Sequence, residues 1–345
     1  MRKLTRNCAL LATSLLMLGL SACKDDADKP ETESAGQVAV ESEATSTDLS
    51  LEELRDYIAS QEALSEEALR KAKASSGPGA PALWSLKDED TTIHMFGTVH
   101  LLRPEIDWLT PEIESALDQA DTIVFEADVS SEAAAKEMMQ FVSEKAMLTG
   151  GTRLNDLLSD AEETVVAEAL ADVDMSLELV QTLQPWFASV TLQQMKMVSD
   201  GFDPESGVEF VIQSRAPEKT YQFLETVDQQ LGRMASLSED EQVNFLVLSA
   251  GSSADSAELL DDLVAEWSDG DVEGLGMLIG DAEAFGSTEV YEALLKSRNE
   301  DWIPQIEGML DTPGNVFVAV GAAHLAGDDS VVAMLRARGH AVTGP

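Results

Sequence analysis

The sequence predicts an α/β fold: a mixed central sheet with parallel βαβ units, flanked by helices and carrying a helical insertion at about residues 131–200. Three observations predict it. Strand, helix and strand patterns follow one another between Leu83 and Phe125. Val316 to Val320 is an unbroken apolar run of strand length. Between them lies a long stretch of helical periodicity, interrupted by one further strand-like segment.

Taken in order, Leu83 to Leu86 reads as a strand, Lys87 to Asp90 as a polar turn and Thr92 to Gly97 as a second strand, together a hairpin. Thr110-Pro111 opens a helix with Pro at its first position, and Ile113, Leu117 and Ala120 mark its inner face. Thr122 to Phe125 is a short apolar strand, and strand, helix and strand in this order form a βαβ unit with parallel strands. Ser131 to Asp200 is helical in pattern and rich in Met, which fills cores adaptably. Tyr221 to Leu224 reads as another strand. Helices are predicted around Glu239–Val247, Ala257–Trp267, Val272–Ile279 and Ser287–Leu310. Asp311 to Gly314 is a turn before the buried strand, Ser330 to Arg338 a helix, and Ala341 to Thr343 a last short strand.

The N-terminus reads as an export signal. Arg2, Lys3 and Arg6 precede an apolar run from Cys8 to Leu20. That run is shorter than the roughly 20 residues a permanent membrane helix needs. Leu20-Ser21-Ala22-Cys23 resembles the lipobox of bacterial lipoproteins. The expectation is a signal peptide over 1–22, lipidation of Cys23 and a place in the cell envelope; Lys24 after the cysteine favours the outer membrane over the inner one. Residues 23–81 read as an acidic tether with short amphipathic helices: Lys24 to Ser50 has few large apolar residues. Ser50 then caps a helix from Leu51 with Leu54, Ile58, Leu64 and Leu69 along it. Gly77, Pro78, Gly79 and Pro81 break the chain, and residues 82–345 form the domain.

With Cys8 cleaved away and Cys23 acylated, the domain has no thiol for a disulfide, a nucleophile or a metal. Loss of the signal takes the net charge from −42 to −45. So large an acidic excess repels phosphate backbones and excludes nucleic acid as a partner; it identifies no substrate, and the one partner expected at this point is a membrane, through the lipid anchor.

Four polar groups follow predicted strands. His100 ends Gly97-Thr98-Val99-His100, Glu126 follows Val124-Phe125, Glu225 follows Leu224, and His324 ends Gly321-Ala322-Ala323-His324. In α/β sheets ligands bind at the carboxyl ends of strands, so a shared parallel sheet brings these groups to one site. Gly97 and Gly321 are expected to turn the chain sharply and to let the loops approach the sheet. Two imidazoles and two carboxylates suit a divalent ion with an open position for water, as in His-His-Glu zinc sites, and the pKa of that water falls to about 7. The remaining carboxylate is then the base. Without metal, one His serves as base, oriented by a glutamate. The other two histidines lack this context: His94 sits within a strand and His340 before the last one.

These residues resemble the TraB/GumN family, within the wider TIKI-type hydrolase superfamily that includes erythromycin-esterase-like and ChaN-like proteins. The resemblance covers roughly residues 82–345. It rests on Gly97-Thr98-Val99-His100-Leu101, Val124-Phe125-Glu126, Leu183-Gln184-Pro185-Trp186, Leu224-Glu225-Thr226, Trp267-Ser268-Asp269-Gly270-Asp271, Arg298-Asn299 with Trp302, and Val320-Gly321-Ala322-Ala323-His324-Leu325. It departs at Gly207-Val208-Glu209, where the family usually has Gly-Ile-Asp, and at His340, where an aromatic residue is usual. The resemblance implies a mixed α/β sheet and metal-dependent, peptidase-like hydrolysis of a peptide or protein substrate, with His100, Glu126 and His324 as ligands of a divalent ion (manganese, cobalt or zinc) and Arg298 as a further polar site residue. Glu225 or Glu209 would be the base or a fourth ligand, and Arg298 would stabilise an oxyanion. Trp186 and Trp302 read as core anchors. Two other readings stand beside it: a lipoprotein that sequesters a peptide or signal molecule without cutting it, and a metal-free esterase with His100 as base.

Overall fold

Five strands form one sheet in a computed structural model that describes residues 49–128, 130–252, 256–280 and 287–345. They are β1 (Leu83–Lys87), β2 (Thr91–Thr98), β3 (Thr122–Phe125), β4 (Thr220–Phe223) and β5 (Gly314–Gly321), in the spatial order β1-β2-β5-β3-β4. β1 pairs antiparallel with β2, as the short polar turn requires, and the other pairs are parallel. The last strand in sequence therefore lies in the middle of the sheet, between the two strands of the first βαβ unit. Its central position explains the continuous apolar run, since a strand covered on both faces has no solvent side to keep polar.

The helices are α1 (Leu51–Ala72), α2 (Pro111–Gln119), α3 (Glu132–Lys145), α4 (Asp160–Ala171), α5 (Leu177–Val180), α6 (Pro185–Ser199), α7 (Val208–Arg215) and α8 (Val227–Ala235). They continue with α9 (Glu239–Gly251), α10 (Ser256–Asp269), α11 (Val272–Ile279), α12 (Thr288–Tyr291), α13 (Ser297–Met309) and α14 (Val331–Ala337). Strand alternation divides their packing. Phe96, Ile123, Phe317 and Ala319 face one core, built with the insertion and α9 to α11. Ile93, Met95, Val124, Val318 and Val320 face the other, covered by Trp302, Ile303 and Ile306 of α13 and Val331 and Leu335 of α14. The predicted start of α2 holds: the Thr110 hydroxyl accepts from the Ile113 amide and Pro111 occupies the first helical position.

The N-terminal expectations divide at the edge of the described residues. The signal peptide, Cys23 and the chain to Asp48 lie outside them. From Leu51 the chain is one 22-residue helix, longer than the short helices expected, opened by a Ser50–Glu53 capping box with Ser50 as the cap the sequence predicts. Nor is it a spacer: Leu54 and Ile58 are buried in the larger core, and α1 packs on α4, α9 and α11. Gly251 of α9 makes this possible, because a side chain there would overlap Ile58. At the other end, the expected strand at Ala341–Thr343 is reduced to one bridge between Thr343 and Ser85. Thr343 and Ser85 exchange backbone hydrogen bonds of 2.8 and 2.9 Å, whereas the Val342 amide turns back to the His340 carbonyl, so no second rung forms.

Docking of α1 predicts that Ile58→Ala costs about 2–4 kcal/mol in urea denaturation, the range for truncating a buried aliphatic side chain. A helix that merely spaced the domain from an anchor would show no change.

Candidate functional site

The parallel register puts the carboxyl ends of β2, β3, β4 and β5 at one edge. Thr98 lies opposite Gly321, and Phe125 lies opposite both Ala319 and Phe223. His100, Glu126, Glu225 and His324 each follow one of these ends by one to three residues, as the sequence predicts. Glu126 and Glu225 continue the β3–β4 pairing by one rung, with the Glu225 amide 2.8 Å from the Glu126 carbonyl oxygen. His324 sits in a 3-10 turn, Ala322–Leu325, directly after β5.

Neither expected glycine turn is a left-handed one: Gly97 and Gly321 both lie outside the positive-φ residues. Gly97 is required for close approach instead, since a Cβ there would stand 3.0 Å from the Ala322 Cα. A second close approach was not foreseen. A Cβ on Gly207 would overlap the His100 carbonyl oxygen, and the Val208 amide bonds the Val99 carbonyl at 3.0 Å. The N-terminus of α7 is thereby fixed against the loop after β2. This brings Glu209 to His100, with the carboxylate 2.7 Å from Nδ1, while the Thr98 hydroxyl donates to the same carboxylate.

Arg298 is the centre of the site. Sequence alone left open a pairing with a helix end or a surface carboxylate, late in a helix. It is in fact the second residue of α13, follows a π-helical turn at Glu292–Lys296, and is 1% exposed. Its Nη2 lies 2.5 Å from both Glu126 Oε2 and Glu225 Oε1, its Nε donates to Glu225 at 2.9 Å, and its Nη1 donates to the Leu294 carbonyl at 2.9 Å. Glu225 is thus a partner of Arg298. Glu126 also accepts from Gln230 Nε2 at 3.0 Å and from the Gly321 amide at 2.7 Å. Trp302 is a core anchor as expected, and its ring also lies against both His324 and the Arg298 guanidinium. Trp186 is fully buried away from these contacts, against Phe141 and Phe187.

Asn299 determines the state of His324. Its Nδ2 donates to the Asp329 carbonyl at 2.8 Å, which leaves its Oδ1, 2.6 Å from His324 Nδ1, to accept from an Nδ1–H. His324 Nε2 therefore carries the lone pair. It is buried without a hydrogen-bond partner, 3.6 Å from Glu126 Oε1. Asn299 and Thr98 both stand within the motifs read from the sequence but had no role there; Gln230 carried no signal at all. His94 bonds Ser85 and His340 bonds Glu307, both away from this edge.

Charge is divided unequally between the two site histidines. Burial alone would lower the His100 pKa, but the adjoining Glu209 carboxylate, helped by Glu126, outweighs it and raises the pKa to about 9. Burial, reinforced by Arg298, holds His324 well below its ordinary value and so neutral. Glu126 and Glu209 are lowered against their burial, Glu126 chiefly by Arg298 and Glu209 chiefly by His100. Burial keeps Glu225 raised despite Arg298.

The donor set fits a divalent ion in type and tautomer. Both imidazoles have Nδ1 held by an oxygen, the arrangement that fixes a metal-binding histidine, and His324 offers a buried lone pair without a partner. Among the described residues, no three His, Cys, Asp or Glu side chains already stand together as a ready metal cluster.

Residues 82–344 match the model of the TraB/PrgY/gumN family. The chain is also 23% identical, over 245 residues, to the uncharacterized protein YbaP of Escherichia coli K12, covering 70% of this chain and 87% of that protein. The YbaP protein of Shigella flexneri matches with the same figures. No solved structure matches the chain.

Two predictions follow from the site's electrostatics. Arg298→Met strands two buried carboxylates and should cost about 3–5 kcal/mol in urea denaturation, most of it recovered when Glu126→Gln and Glu225→Gln are added. The His100 imidazole, followed by NMR in metal-free protein, should titrate near pH 9 and shift toward 6.5 in Glu209→Gln. A raised folded-state pKa means that the His100–Glu209 pair stabilises fully below about pH 6.5 and loses its contribution as pH rises through about 9.

Proposed function

The chain belongs to the TraB/PrgY/gumN family, and on that basis we propose that it is a hydrolase of peptide or amide bonds, working at the strand-end cluster and held at the cell envelope by lipid on Cys23. The lipobox-like Leu20-Ser21-Ala22-Cys23 supports the anchor, with Lys24 favouring the outer membrane. The observation that carries the hydrolytic reading is the pairing of two differently charged histidines around one buried arginine. His100 is charged and oriented by Glu209, and His324 is neutral, oriented by Asn299 and open at Nε2.

These groups divide the work of hydrolysis. The neutral His324 Nε2 can accept a proton or hold an ion, and the protonated His100 can donate to a leaving amine. Glu209 holds the His100 ring in one orientation. Arg298 keeps Glu126 ionised within a buried edge and adds positive charge near any developing oxyanion. A divalent ion would instead displace the His100 Nε2 proton and be held by His100, Glu126 and His324; it would supply Lewis acidity toward the scissile carbonyl and the attacking water, and His100 would then be a ligand and not the donor.

A second reading is favoured by one contact. The 2.7 Å His100–Glu209 pair is also the orientation a metal-free base needs. The two differ in pH dependence. With His100 as a metal-free base the rate rises through about pH 9, where it loses its proton; with His100 held on an ion that proton is already displaced and no such rise occurs there.

Incubation of the full-length protein with a peptide library, read by mass spectrometry, tests the proposal. The expected result is cleavage that drops by about 10²-fold or more in His100→Ala and His324→Ala, and on exhaustive chelation, returning with manganese, cobalt or zinc. Full activity after chelation would overturn the metal and leave the metal-free reading. Peptides that bind but stay whole would replace hydrolysis with sequestration.

A further inference from the structure

Beside the strand ends lies a partly open cavity of about 30 Å³. Its walls are Leu260, Leu263 and Val264 of α10, Leu275 and Ile279 of α11, and Ala322 of the turn that carries His324. Two lining side chains have polar atoms, and both are already committed. The Thr98 hydroxyl donates to Glu209, and the Trp267 indole donates to the Gly97 carbonyl at 2.9 Å. A water needs 2–4 polar partners, and these side chains offer no free donor. On the same measure about 10–15 Å³ holds one water-sized sphere, so the space takes a group of methyl to isopropyl size.

The cavity adjoins the cluster through two of its own lining residues. Thr98 bonds the carboxylate that orients His100, and the Gly321 amide bonds Glu126 at 2.7 Å. A third lining residue, Ala323, immediately precedes His324. We infer that the cavity is a substrate subsite for a small aliphatic side chain, alanine to valine in size, on the residue flanking the bond to be cut. The substrate class is thus a peptide with such a residue at the cleavage point. Aromatic side chains exceed the space, and charged ones would lose their hydration with no partner in return. This deepens the hydrolase reading and rests on it for the words cleavage and substrate.

The test uses the full-length protein and two variants of the wall, Leu263→Ala to widen it and Ala322→Val to fill it. In the peptide library, the wild type should cut beside alanine or valine. Leu263→Ala should shift the valine-over-phenylalanine ratio of kcat/KM toward phenylalanine by about tenfold, the scale of one or two methylenes in an apolar pocket. Ala322→Val should lower cleavage beside valine more than beside alanine. A parallel arm needs no cleavage: N-acetylvaline amide should shift the methyl NMR signals of Leu263 and Val264, N-acetylphenylalanine amide should not, and Leu263→Ala should admit both. Circular dichroism and Tm show that the variants are folded. Cleavage without residue preference, with no methyl shift from either amide, would overturn the subsite and leave the hydrolase standing. Methyl shifts as expected with every peptide left whole would overturn hydrolysis and keep the subsite.

Discussion

The site depends on burying one guanidinium between two carboxylates. Taking three charges out of water costs several kcal/mol per ion, and the cost is offset only when geometry is good and hydrogen bonds are complete. Arg298 meets that condition with its Nε, Nη1 and Nη2 each donating, two carboxylates and one carbonyl as acceptors, and the Trp302 ring beside it. Its partners come from the ends of β3 and β4, whereas Arg298 opens α13, so the interaction ties a helix start to two strand ends.

The next residue extends the same clamp to a third strand. Asn299 holds His324, just beyond β5, so two consecutive residues of α13 organise the carboxyl ends of three parallel strands. The π-helical turn at Glu292–Lys296 leads directly into them. Such turns are uncommon and recur at functional sites, since an altered hydrogen-bond step re-aims the side chains that follow. On the other side of the sheet edge, α7 plays the corresponding part for β2 through Gly207, Val208 and Glu209. The two histidines thus have different surroundings: the Glu209 carboxylate raises His100, while burial and Arg298 keep His324 neutral.

Much of this was legible in the sequence because it rests on local rules. The strand patterns, the Thr110-Pro111 helix start and the positions of His100, Glu126, Glu225 and His324 after strands all follow from periodicity and from where parallel sheets place their loops. Gly207-Val208-Glu209 was visible as a motif, with the longer glutamate in place of aspartate, but its purpose was not. The reason for the glycine is a carbonyl oxygen more than a hundred residues away. Ile58 shows the same limit from the other direction: its helical spacing marks an amphipathic face, yet only Gly251 of α9 shows what that face packs against.

By itself, then, the amino-acid order determined the class of fold, the strand ends that carry polar groups and the residue types available there, because propensity, turn chemistry and alternation act over a few residues. Tertiary structure decided which of those groups meet. It made Glu225 the partner of Arg298, Glu209 the partner of His100, Asn299 the guide of His324, and α1 part of the packed domain. The physical reason is that pairing energies in a buried edge depend on angstrom-scale distances between segments far apart in the chain, and no local pattern carries that information.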